Sequence, residues 1–166
     1  YLVVKYETME EQISARALVG EVAGGEAKEK ADALCGYYRK TMDLVRERNA
    51  RIPEEERLRV YHSISEATRT DGPDSLGADW LTAVGCENVS IGAPLTPEGE
   101  NYYASLEQIF VWNPDVILCN DAATAGYMNS SMKWAGLPAV GEGRMYNLPV
   151  GATRWGQQGS VETYFA

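Results

Sequence analysis

SLEQIFVWNPDVILCN, residues 105–120, holds a helix start, a chain breaker and a buried strand in one short stretch, and its reading decides the fold. Ser105 followed three positions later by Gln108 is a capping-box pattern: the hydroxyl accepts an orphan backbone N–H while the glutamine reaches back to the cap. The spacing predicts a helix that opens here, with Leu106, Ile109 and Phe110 as its inward stripe and Glu107 and Gln108 facing solvent. Asn113-Pro114 ends it, because the residue before proline is pushed out of the α region. Val116, Ile117, Leu118 and Cys119 then run without interruption between Asp115 and Asn120. An apolar run of that length is too short for an ordinary buried helix and predicts a parallel strand covered on both faces.

The same alternation extends outward in both directions. Upstream, Leu2-Val3-Val4 favours a strand, and residues 9–22 read as a helix with Ile13, Ala17 and Leu18 inward, closed by Gly24-Gly25. From residue 26 to 49, Ala31, Leu34, Cys35, Tyr38, Met42 and Val45 recur at helical spacing. Such a helix would be roughly 36 Å long, enough to span a domain. Pro53 and the run Glu54-Glu55-Glu56 mark a solvated connection before a strand at 57–63, built on Leu58, Val60 and Tyr61. Residues 64–73, rich in Ser, Thr and Gly, form a loop at its carboxyl end. A helix at 76–84, a stop at Gly85, a short strand at 88–91 and a loop at 92–100 complete the approach. Downstream lie a short helical region holding Met128 and Trp134, and strands at 137–140 and 145–148. Strand and helix alternating in this way predict an α/β fold, a three-layer doubly wound lobe with a mainly parallel central sheet.

Composition narrows the function classes. A net charge of −9 over 166 residues argues against a nucleic-acid partner, which calls for a basic face. No stretch approaches the roughly 20 apolar residues of a membrane span, and none resembles a basic-then-apolar signal peptide. Tyr1 opens in what reads as mid-domain sequence and Phe165-Ala166 stop inside an apparent helix, so the expectation is an excised fragment. Cys35, Cys86 and Cys119 lack C-x-x-C spacing and have one possible imidazole partner, His62; a protein-built metal site or resident cofactor is not expected. Cys119 reads as a small apolar residue of the central strand.

Chemistry in the sequence favours binding over catalysis. No G-x-S-x-G elbow, H-E-x-x-H helix or phosphate-cradling loop accompanies the histidine. His62 and Ser63, adjacent in a strand, point to opposite faces and do not form a base and nucleophile, which leaves His62 a structural hydrogen bond. Ligands of open α/β sheets sit beyond strand carboxyl ends, and three segments fall there: residues 65–70, 120–127 and 152–155. Within them Ser65, Thr68, Thr70 and Asn120 offer hydrogen bonds, and Arg69 and Arg154 offer guanidinium groups to an anionic ligand. Tyr127, Trp155 and Tyr103 could stack on a flat ligand, although Tyr103 reads better as a cap on the core. Asn120 and Asp121 either meet the ligand or cap the next helix.

The order of SLEQI, WNPDVIL, Asp74-Ser75-Leu76 with Asp79, the segment AVGCENV at 83–89 and RMYNLPVGATRW at 144–155 resembles the C-terminal lobe of the iron-complex and cobalamin class of periplasmic binding proteins, the substrate-binding components of ABC importers. The resemblance covers most of residues 10–166. It implies residues 1–25 as the end of an inter-lobe region, 26–52 as a long lobe-connecting helix, and 53–166 as the C-terminal binding lobe, with the N-terminal lobe absent and the last helix truncated. It implies a monomeric, non-enzymatic capture protein for an iron siderophore, haem or cobalamin, peripheral to the membrane. That protein would be extracytoplasmic, in the periplasm or lipid-anchored on the outer face of the cytoplasmic membrane. Its partners would be an ABC permease and its ATPase, with Glu107 as the permease-docking carboxylate of this lobe. An ordinary amphipathic helix is the alternative for residues 26–52, and a first-turn carboxylate favoured by the helix dipole is the alternative for Glu107. Cys86 and Glu87 depart from the small or glycine residues usual before Asn88, and the loop at 65–70 does not single out a ligand, so an oxyanion such as molybdate also stays open. The rival functions are a nitrogenase-like or chelatase-like enzyme domain holding a metal cofactor, and a sensor module built on the same fold.

Overall fold

Successive residues of two central strands face opposite layers, and that period of two organises the molecule. The computed structural model describes residues 1–4 and 7–148. In chain order the elements are α1 (Met9–Ala23), α2 (Gly25–Asn49), β1 (Arg59–Ser63), β2 (Arg69–Thr70), α3 (Leu76–Ala83), β3 (Glu87–Asn88), β4 (Thr96–Glu98), β5 (Asn101–Tyr103), α4 (Leu106–Trp112), β6 (Val116–Cys119), α5 (Ala122–Ser130), α6 (Pro138–Gly141) and β7 (Met145–Asn147). Four strands pair in the order β3-β1-β6-β7, all parallel, with His62 opposite Leu118 and Ser63 opposite Cys119. Val60, Val116 and Leu118 point into a core made with Met9, Ile13, Cys35, Tyr38, Met42, Val45, Trp80 and Leu81 from α1, α2 and α3. Tyr61, Ile117 and Cys119 point the other way, against Ile109, Trp112, Met128, Trp134 and Leu137. The sheet is thus covered on both faces, as its uninterrupted apolar run requires.

In the 105–120 stretch the serine cap and the proline breaker act as read, while the Gln108 side chain makes no returning bond to the cap among the described residues. Ser105 Oγ accepts from Gln108 N at 3.1 Å, and Asn113 closes α4 in the left-handed region (φ 44°) ahead of Pro114. Its inward stripe is not as read: Ile109 and Trp112 are buried, Leu106 and Gln108 are half-buried, and Phe110 is 37 % exposed, its ring lying beside Gly136. With only seven residues in α4, the wedge that meets β1 is set by Ile109 and Trp112, three apart, and Phe110 falls outside it.

Other expectations are corrected. Residues 1–4 form no regular element, and Tyr1, Leu2 and Val3 are exposed. Leu18 and Leu34 face outward, because α1 and α2 pack through a narrower face that holds Met9, Ile13, Cys35 and Tyr38. Gly24 and Gly25, both at positive φ, make the sharp reversal between these helices. Leu58 lies before β1 and is exposed. A helix at Pro138–Gly141 stands where a strand at 137–140 was expected; Pro138, with φ already fixed for a helix, is at the first position of α6. The loops at 64–73 and 92–100 conceal β2 and β4, which pair on either side of β5 in a small antiparallel sheet, β2-β5-β4, and Gly99 (φ 62°) turns β4 into β5. Its strands are two or three residues long, too short for any periodicity to announce.

Candidate functional site

The sheet's winding defines where a ligand would sit. The chain leaves β1 over α3 to reach β3 on one side, then returns over α4 on the opposite face to β6 on the other side. Strand order therefore reverses between β1 and β6, and the crevice at their carboxyl ends is the position where doubly wound sheets take ligands.

Hydrogen bonds fix the loop beyond β1. Ser63 Oγ donates to Glu66 O at 3.0 Å, Tyr61 OH to Ala67 O at 2.9 Å, Ile64 N to Arg69 O at 2.9 Å and Tyr103 OH to Glu66 Oε1 at 3.0 Å. Thr124 Oγ1, from the first turn of α5, donates to Ser65 O at 3.0 Å and ties this loop to the end of β6. Ser65 is held exposed in the left-handed region at φ 62°, uncommon for a residue with a Cβ. Asp121 caps α5, its Oδ1 accepting from Thr124 N at 2.8 Å. Asn147, oriented to satisfy both neighbours, donates to Asp121 O and accepts from Ala122 N, which ties the end of β7 to the same edge.

Beneath this rim lies a buried polar cluster. His62 is wholly buried; its Nδ1 lies 2.8 Å from Asp71 Oδ2 and its Nε2 2.7 Å from Asn120 Oδ1. Asp71, 1 % exposed, also accepts from Asn88 Nδ2 at 2.9 Å, and Ser90 Oγ donates to Asn88 Oδ1 and lies 3.1 Å from Asp71 O. Burial alone would push the imidazole down, but the Asp71 charge and the hydrogen bonds from Asp71 and Asn120 outweigh it, so His62 protonates above its ordinary 6.5. The cluster joins β1, β3, the segment after β2 and the end of β6 at the point where strand order reverses.

Asp71 also explains a glycine. A Cβ at Gly77, in the first turn of α3, would run into Asp71 Oδ1, a buried oxygen with no hydrogen-bond partner among the described residues. In an exposed helix interior Gly→Ala gains about 1 kcal/mol. At this position overpacking of about 1–3 kcal/mol should reverse the sign. Gly77→Ala is expected to lower the urea midpoint of unfolding with no change in slope; a raised midpoint would mean that the helix has room to shift.

The rim brings together Ser65, Asn120 and the start of α5, with Thr68 and Arg69 half-buried in the adjoining loop and strand. Tyr127 is 52 % exposed on α5. Thr70 departs from its expected role: it is 3 % exposed on β2, so its side chain faces the interior. Arg154 and Trp155 lie outside the described residues. Tyr103 sits on β5, half-buried and bonded to Glu66. Glu107 is exposed in the first turn of α4. Sequence reasoning passed over Asp71 and Ser90; the available signal was a lone strand-end histidine followed nine residues later by an acid in Asp71-Gly72-Pro73.

A separate acidic cleft of about 610 Å³ lies beside β3, lined in part by Glu54, Asp74, Asp79, Glu87 and Arg57, off the reversal point. No group of three or more His, Cys, Asp and Glu side chains among the described residues is arranged to hold a metal ion. Burial raises the Cys86 thiol, and it brings Cys119 to about 11, so neither is primed as a nucleophile. No helix among the described residues is long and apolar enough to cross a membrane.

No protein-family model matches the sequence, and no curated protein matches it. Solved structures do share the fold. An ABC transporter solute-binding protein from Sulfurospirillum deleyianum is 22 % identical with a TM-score of 0.76, over 97 % of this chain and 50 % of that one. The molybdate periplasmic binding protein MolA of Haemophilus influenzae, bound to molybdate, is 23 % identical with a TM-score of 0.75, over 94 % and 46 %. Helicobacter pylori CeuE with Ni(II) bound is 18 % identical with a TM-score of 0.73, over 96 % and 49 %. The chain thus spans about half the length of each of these structures, whose described α/β architecture it shares.

Proposed function

We propose that this chain is one half of the substrate-binding component of an ABC importer, a non-catalytic lobe that closes with a companion lobe around a small metal-containing or oxyanion ligand. The observation that carries this reading is the convergence of the β1 and β6 carboxyl ends, tied through Thr124 and Ser65, into a rim where Ser65 is exposed and Thr68, Arg69 and Asn120 are half-buried. A match over nearly all of this chain and about half of each solute-binding protein supports it. The ligand-facing groups are Ser65, Thr68, Arg69, Asn120 and Tyr127, joined by Arg154 and Trp155. Residues 26–52, helical as far as Asn49, connect the two lobes and limit their relative motion. The protein works outside the cytoplasm, in the periplasm or lipid-anchored, as a monomer serving a permease and its ATPase.

An iron siderophore, haem, cobalamin, nickel chelate or molybdate would each suit a cleft of this chemistry, and a titration separates them. The two-lobed protein, followed by tryptophan fluorescence, should respond saturably to one member of that panel, while residues 1–166 alone respond weakly. Equal, tight binding by the single lobe would contradict the shared-cleft reading.

Glu107 is the docking carboxylate in this proposal. It is exposed at the start of α4, where the helix dipole favours a negative charge that stays free for an arginine of the permease. Glu107→Lys should reduce ligand uptake about tenfold or more, the equivalent of ~1.4 kcal/mol at the docking step, and leave ligand affinity unchanged. Lost affinity with normal docking would assign Glu107 to the cleft instead.

A further inference from the structure

His62 stands directly behind Asn120, and Asn120 is a half-buried residue on the rim of the crevice. A carboxylate only accepts hydrogen bonds, so the 2.8 Å contact with Asp71 Oδ2 keeps a proton on His62 Nδ1 in both charge states. The variable proton is therefore the one on Nε2. Here Nε2 lies 2.7 Å from Asn120 Oδ1, an oxygen that can only accept, so this arrangement calls for a proton on Nε2 and leaves the Asn120 NH2 group as the other end of the amide. Once Nε2 loses its proton it becomes an acceptor. Its neighbour must then offer a donor, which the amide does by turning over and presenting Nδ2 inward and Oδ1 outward.

We propose that His62 is a positioning residue whose Nε2 proton selects which end of the Asn120 amide faces the crevice, and that the protonated state prepares the crevice for an anionic ligand rich in oxygen acceptors. The inference rests on the reading of that crevice as the ligand site. The ring meets the Asp71 carboxylate, the Asn120 amide and the edge of Trp80 from α3 at 6.0 Å; Asn88 of β3 reaches it through Asp71. Asp71 is the charge whose field holds the proton on, which places the change above pH 6.5. Oxygen-bearing anions should accordingly bind more tightly as pH falls through the His62 transition.

His62 is the sole histidine of the sequence, so its titration can be read without ambiguity. Nitrogen-15 NMR of the ligand-free chain between pH 5 and 9 should show Nδ1 protonated throughout and Nε2 losing its proton above pH 6.5. The Asn120 side-chain amide signals should move with the same midpoint. Asn120→Asp, which can only accept, should raise that midpoint by about one pH unit, a tenfold gain in proton affinity. An Asn120 amide indifferent to the His62 transition, or an Nε2 unprotonated across the whole range, would overturn the proposal. Molybdate titrations of the two-lobed protein form a separate arm. Affinity that rises about tenfold from pH 9 to pH 5.5 supports the link to ligand, and pH-independent binding overturns it. If molybdate and the rest of the ligand panel fail to bind at any pH, the ligand-site reading fails while the NMR result stands.

Discussion

His62→Ala should destabilise the chain by about 3–5 kcal/mol, because it leaves the Asp71 carboxylate buried without its cation. Asp71 is 1 % exposed and its Oδ1 already lacks a hydrogen-bond partner among the described residues, so water has little access with which to compensate. The loss should depend on pH in a defined direction. The folded-state pKa of His62 is raised above 6.5, so its stabilisation is fully present below that value and fades as pH rises through the folded-state transition. The difference between wild type and His62→Ala, read from urea unfolding, should therefore be largest near pH 5.5 and smaller by pH 9. Some loss persists at high pH, since neutral His62 still donates from Nδ1 to Asp71. Asp71→Asn should cost less than His62→Ala and move the His62 transition downward. A difference below about 1 kcal/mol for His62→Ala at every pH would show that solvent screens the pair, as it screens surface ion pairs.

Trp134→Ala should cost about 3–5 kcal/mol, a large fraction of the 5–15 kcal/mol that holds an ordinary domain together. Trp134 is 2 % exposed and packs in the cluster with Ile109, Trp112, Met128 and Leu137, beneath Tyr61 and Ile117 of the sheet. It lies in the turns between α5 and α6 and not within a long helix, so one side chain anchors a segment that has little regular structure of its own. Removing it leaves a cavity that neighbours fixed by the sheet cannot easily fill. Leu58→Ala is the comparison: at 52 % exposure it should change stability by no more than about 0.5 kcal/mol. Comparable losses for the two variants would mean that the 131–137 segment yields and closes over the missing ring.

Much of the fold was legible because its signals are local. Ser105 with Gln108, Asn113 before Pro114, Gly24-Gly25 and the run at 116–119 each act within a few residues, and they placed α4, β6 and the α1–α2 reversal to within a residue or two. The long apolar spacing after residue 26 gave α2 for the same reason. Errors fell where elements are short or where a face is chosen by neighbours. Phe110, Leu18 and Leu34 have the right spacing for the core, yet Trp112, Met9 and Tyr38 hold the facing positions. At the candidate site the rim segments could be named from strand ends, whereas the cluster beneath them could not, and Thr70 was assigned to the rim although its strand turns it inward.

By itself the sequence determined the alternation of helix and strand, the caps and breakers that bound them, and the parallel character of a sheet covered on both faces. The tertiary structure alone decided that β6 lies beside β1 with His62 opposite Leu118, a register that brings Asn120 onto a ring 58 residues away. It also decided that Asp71 folds back beneath that ring. Periodicity and capping express forces between residues a turn or two apart. Strand order and the pairing of buried polar groups are set by which distant surfaces can be buried together with every donor and acceptor engaged, and that balance belongs to the assembled chain.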